Sequence, residues 1–159
     1  MTKLTAIPKS WFSWDVQGLN GTRQVAEIDL AYGQRESLLS GEGAPYRVFR
    51  EGMASGAYVL QDAGGRAAAR AEKPSAFSRC FVIEHAGRRM VLEAISPFGR
   101  AFVLTERDAE VGSVRPEGFV SRRATASFPE DLPLPVKVFM LWLVIILWRR
   151  NADSEGSTA

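Results

Sequence analysis

One stretch constrains this chain more than any other: Leu134-Pro-Val-Lys-Val-Phe-Met-Leu-Trp-Leu-Val-Ile-Ile-Leu-Trp148 is apolar on every side and stops at Arg149-Arg150. A segment of that kind has to be buried. As a helix, its 15 residues reach about 22 Å, short of the roughly 30 Å hydrocarbon core of a bilayer. A protein interior is therefore the better host. Val and Ile also suit a strand, but the run from Val136 to Trp148 contains no turn signal and exceeds ordinary strand length. Glu130 and Asp131 precede it, Pro135 suits the first helical position, and Arg149 and Arg150 sit where cations favour a helix C-terminus. The expected helix is 135–149, with Lys137 extending its ammonium out of the apolar surroundings along its methylene stem.

Upstream the pattern changes to period two. Ala26, Ile28, Leu30 and Tyr32 alternate with polar residues, and short runs of the same kind recur at 46–50, 57–61, 67–71, 79–84, 89–95, 101–105, 111–114 and 122–127. Turn signals such as Gly41-Glu-Gly43, Asp62-Ala-Gly-Gly65, Pro97-Phe-Gly99 and Pro116-Glu-Gly118 separate them. His85-Ala-Gly-Arg88, between Phe81-Val-Ile83 and Met90-Val-Leu92, is the clearest hairpin. The fold expected is mainly β: a closed or nearly closed antiparallel β-barrel wrapped around one apolar C-terminal α-helix. Residues 1–150 form one domain, and the polar stretch 151–159 is expected to be a disordered tail. In Trp11-Phe-Ser-Trp-Asp15 the aromatic area reads as core, with a membrane-interface anchor as the alternative.

Composition narrows the function classes. At 159 residues and 46% hydrophobic, the chain is long enough for one substantial core. Its net charge of +2, from 20 basic and 18 acidic side chains, gives a nucleic-acid role little support. Cys80 stands alone, so neither an internal disulfide nor a multi-cysteine metal site can form. The first residues lack the apolar run of a secretory signal, and a cytoplasmic protein is expected. Cys80 and His85 do not read as a nucleophile and base, because an odd separation on one strand points them to opposite faces. No phosphate loop and no two-histidine metal pattern is present. No enzyme, cofactor or metal is expected.

Cations at turns and strand starts are the remaining candidates. Lys73, Arg79, Arg88, Arg89, Arg122 and Arg123 form an anion- or lipid-binding set if the loops that carry them converge, with Arg forks reading phosphate oxygens in pairs. The simpler reading is a solvated surface paired with Glu72, Glu84, Glu106, Asp108 and Glu110.

The strand series from Gln24 to Ser127, including Gly56-Ala-Tyr-Val-Leu-Gln-Asp62 and Cys80-Phe-Val-Ile-Glu84, followed by the helix from Pro135 to Trp148, resembles the tubby C-terminal-like fold. That group holds tubby domains, LURP-one-related proteins and phospholipid scramblases. The resemblance covers nearly the whole chain and rests on architecture. It implies a closed barrel around the terminal helix. Tubby domains bind phosphoinositide headgroups through basic side chains, and scramblases are associated with membranes and calcium. Neither set of functional residues aligns here, and no acidic calcium loop is evident. The function expected is a non-enzymatic binding module for an anionic lipid headgroup or another anion, peripheral at a membrane, with an unidentified protein as the other partner class. The alternative is a tail-anchored protein with 132–148 in the bilayer and a cytoplasmic β-rich head.

Overall fold

The computed structural model describes residues 2–8, 16–20, 23–30, 36–41, 45–51, 57–74, 79–96, 99–117 and 123–156. Side chains are described within those ranges at 3–5 and from 45 to 149. The described residues form twelve strands and one helix. The strands are Thr2–Pro8 (β1), Val16–Asn20 (β2), Arg23–Leu30 (β3), Glu36–Gly41 (β4), Tyr46–Glu51 (β5) and Ala57–Gln61 (β6). Ala67–Glu72 (β7), Cys80–His85 (β8), Arg88–Ala94 (β9), Phe102–Glu106 (β10), Ala109–Pro116 (β11) and Ala124–Phe128 (β12) follow, then Leu134–Gly156 (α1). The protein is mainly β, an antiparallel sheet with one C-terminal helix.

Each strand pairs with its neighbour in sequence, and β1 pairs with both β2 and β12. The alternation read from sequence is visible as burial. Phe81 and Ile83 on β8, Met90 and Leu92 on β9, Phe102 and Leu104 on β10, and Ala124, Ala126 and Phe128 on β12 are all fully buried. Strand register lines them up in rows that mix large and small side chains: Tyr58, Ala71, Ile83 and Met90 in one, and Leu4, Ala126, Val114 and Phe102 in another. Interdigitation of this kind fills an interior at native density.

The helix supplies the other half of that core. Every residue from Val136 to Ile145, with Leu147 and Trp148, is buried, and these side chains belong to one cluster with the inward strand residues. Burial through successive turns means that α1 is covered on all sides between Val136 and Ile145, as the lack of a polar face there requires. Lys137 is among the buried residues. Burial lowers the pKa of its ammonium, and Glu130 and Asp131 oppose that shift. No helix among the described residues is long and apolar enough to cross a membrane.

Several boundaries differ from expectation. Strands β1, β2 and β4 were not foreseen. α1 continues to Gly156, so helical backbone extends into the stretch expected to be a disordered tail. The last turn carries no basic residue, and the dipole role assigned to Arg149 and Arg150 does not hold. The aromatic stretch 11–15 lies outside the described residues.

Candidate functional site

Antiparallel order sorts the connections onto two ends of the sheet. The β6–β7, β8–β9 and β10–β11 connections share one end with residues 129–133, where α1 begins. The β7–β8, β9–β10 and β11–β12 connections share the other end, where α1 emerges. Contacts at both ends agree with that sorting: Arg88 Nη1 donates to Asp131 Oδ2 at 2.8 Å, and Trp148 Nε1 donates to the Arg100 carbonyl at 3.0 Å.

The candidate cations divide accordingly. Lys73 and Arg79 on the β7–β8 connection and Arg123 beside β12 stand at the helix-exit end, joined there by Arg100 and Arg149. Arg122 lies outside the described residues. Arg88 and Arg89 open β9 at the opposite end. The candidates therefore do not all share one end of the sheet.

Arg88 is committed to structure. It donates to both carboxylate oxygens of Glu106 and to Asp131, which ties β9, β10 and the approach to the helix together. Arg89 is exposed. Register places it in an outward row with Glu84 and Arg70, beside a shallow cleft of about 500 Å³ that also touches His85 and Ala68. The alternating signs in that row make it a solvated charged face. His85 Nδ1 lies 2.8 Å from the Ala68 carbonyl. Cys80 and His85 occupy opposite ends of β8, about 16 Å apart at the usual strand rise, which separates them as a reacting pair. Burial, and then the Glu93 charge, raises the Cys80 pKa.

At the helix-exit end, the described residues that flank the β9–β10 connection are tied down by hydrogen bonds. Arg79 Nη2 donates to the Gly99 carbonyl at 2.6 Å and Nη1 to the Ser96 carbonyl at 3.3 Å. The Gly99 N–H donates to Ser96 Oγ at 2.9 Å, an approach so close that a Cβ on Gly99 would lie 2.4 Å from the same oxygen. The Ala94 N–H donates to the Arg79 carbonyl and the Ile95 N–H to the Ala101 carbonyl, each at 3.0 Å. The Arg79 guanidinium lies over the Phe102 ring and that of Arg100 over the Trp148 ring, at 5.7 and 4.3 Å from the centroids. Burial lowers the pKa of both guanidinium groups, which stay charged at any physiological pH. Arg100 is a further cation at a turn, beside the six candidates named from sequence. Its contact with Trp148, 48 residues away, leaves no trace in local spacing.

This end can hold a diffuse positive charge against an anion, on a frame fixed by the emerging helix.

No protein-family model matches the chain, and no curated protein matches it. Among solved structures, it is similar to the X-ray structure of a protein from Arabidopsis thaliana. The identity is 12% and the TM-score 0.62, with 94% of this chain and 91% of that chain covered. At that identity the likeness is one of fold.

Proposed function

We propose that this protein is a non-enzymatic binding module of tubby C-terminal-like architecture, a closed barrel about an apolar helix, which uses its helix-exit end to hold an anionic lipid headgroup or another anionic ligand. Two features support the architecture: β1 pairs with both β2 and β12, and every residue of α1 from Val136 to Ile145 is buried. The observation that carries the function is topological. Strand order collects Lys73, Arg79, Arg100, Arg123 and Arg149 at one end against the carboxylates Glu72 and Glu117, whereas the end where the helix begins sets Arg66, Arg88 and Arg107 against Asp62, Glu106, Asp108, Glu130 and Asp131. A local excess of cations attracts anions across about a Debye length, roughly 8 Å at physiological salt.

The test is co-sedimentation with phosphatidylcholine vesicles, with and without phosphatidylserine, for the wild type and for Lys73→Glu/Arg123→Glu. Wild-type binding should require the anionic lipid and weaken as salt rises. The double variant should lose binding and keep its melting transition. Equal recovery of both proteins at low salt overturns the assignment.

A further inference from the structure

Among the described residues, Ile95 is the one large apolar side chain that is exposed, at 53%. Isolated exposed aliphatic residues are ordinary on protein surfaces. Two features set this one apart. Its backbone is held in place: its own N–H is bonded to Ala101 and the preceding N–H to Arg79, while the Arg79 fork meets the carbonyls of Ser96 and Gly99. It also stands at the helix-exit end, in the connection that carries Arg100 and is gripped by Arg79.

We infer that Ile95 inserts into the surface of an anionic bilayer while the cations around it stay at headgroup level. The inference rests on the anion-binding reading of this end and narrows its partner from any anion to a lipid surface. The chemistry is that of interfacial proteins, in which an apolar side chain enters the boundary between headgroups and acyl chains and basic residues meet the lipid phosphates. A soluble anion makes no use of an aliphatic group presented on a hydrogen-bonded backbone. A bilayer removes it from water without reordering the loop, because the hydrogen bonds that hold it are internal.

The test compares wild type, Ile95→Ser, Ile95→Leu and Lys73→Glu/Arg123→Glu on phosphatidylcholine vesicles containing phosphatidylserine, with thermal melting of each protein alone. Ile95→Ser should weaken vesicle affinity about fivefold to tenfold, as loss of a partly buried aliphatic side chain implies. Ile95→Leu should retain wild-type affinity, and both should melt with the wild type. Unchanged affinity in Ile95→Ser, with binding lost in the charge-reversed variant, removes insertion and leaves the anion reading standing. Absence of wild-type binding at low salt removes insertion and, with it, the lipid headgroup as the anion held at this end.

Discussion

Arg88 grips Glu106 with two parallel hydrogen bonds, Nε to Oε2 at 3.0 Å and Nη2 to Oε1 at 2.8 Å. The third arm of the same guanidinium reaches Asp131, 43 residues along the chain and three residues before α1. One side chain therefore fastens the β8–β9 hairpin to β10 and to the segment that delivers the helix into the core. A planar fork with this geometry is what Arg provides and Lys does not.

The pair sets an acid limit. The Arg88 hydrogen bonds, and then the charges of Arg88 and Arg107, hold the Glu106 carboxyl below its usual pKa against an opposing effect of burial. A carboxylate with a depressed folded-state pKa contributes stability in full above its unfolded value, near 4.3. That contribution is lost as pH falls through the folded value. Melting followed by circular dichroism from pH 7 down to about pH 3 should show the wild-type midpoint dropping more steeply below about pH 4 than that of Glu106→Gln. Parallel acid profiles for the two proteins would remove the pair from the acid response.

The helix should be indispensable. Phe139 is fully buried in the common cluster and stacks on Trp142 at 6.4 Å between centroids. Phe139→Ala should cost about 3–5 kcal/mol, a large fraction of a typical stability of about 5–15 kcal/mol. Truncation after Pro135 removes the whole buried face and should leave a chain without a cooperative transition. A 1–135 fragment that is soluble and melts cooperatively would show that the sheet closes its core without α1.

The helix, the hairpin at His85 and most strands from β5 onward were legible because their physics is local: an unbroken apolar run, period-two alternation, a glycine at a turn. β6 falls on Ala57–Gln61 as read. β2 was hidden by Gly18 within its five residues, and β1 by Pro8 at its end, both residues that argue against a strand. The helix end was misplaced because Arg149-Arg150 followed by Asn151 resembles a stop, whereas α1 runs on through them to Gly156. Arg88 and Arg89 are neighbours in sequence with unrelated roles, since one meets Glu106 and Asp131 across the fold and the other faces outward. Only tertiary structure distinguishes them. The division of cations between two ends likewise depends on strand order, which no local pattern encodes.

The hairpin at His85 can be improved. Its central residues, Ala86 and Gly87, have φ of 49° and 78°, the left-handed pair that a two-residue hairpin turn demands and that Asn-Gly fits best. Ala86 is exposed, so a longer polar side chain meets no packing constraint. Ala86→Asn should stabilise by about 0.5–1 kcal/mol, since Asn tolerates this region better than Ala, and raise the melting midpoint by about 1–4 °C. An unchanged or lower midpoint would show that turn strain does not limit stability here.

Gly112 is required for the opposite reason, lack of space. It is buried on β11, where a Cβ would lie 2.5 Å from the Ser127 carbonyl oxygen and 3.3 Å from the Phe128 ring. The obstructing atom is backbone, so relief has to come from the β11–β12 pairing itself. Gly112→Ala should destabilise by about 1–3 kcal/mol, the ordinary cost of overpacking, read as a lower denaturation midpoint with an unchanged slope. Wild-type stability in this variant would mean that the two strands separate without loss.

Trp142 and Trp148 offer a controlled comparison of two buried indoles on one helix, 2% and 3% exposed. Trp148 Nε1 donates to the Arg100 carbonyl at 3.0 Å, while Trp142 Nε1 is buried without a hydrogen-bond partner, its ring set edge-on to Tyr58 at 5.3 Å. Replacing either by Phe removes a similar volume, so the cavity cost largely cancels in the difference. What remains is the hydrogen bond. Trp148→Phe breaks a bond and abandons a carbonyl, whereas Trp142→Phe relieves a donor that already lacks an acceptor. Trp148→Phe should therefore be the more destabilising by about 1–2 kcal/mol, measured by urea denaturation of the two variants and the wild type. Equal losses would imply that the Trp142 indole is satisfied by its aromatic neighbour, and a larger loss at Trp142 would make ring packing at the centre of the core outweigh the hydrogen bond at its exit.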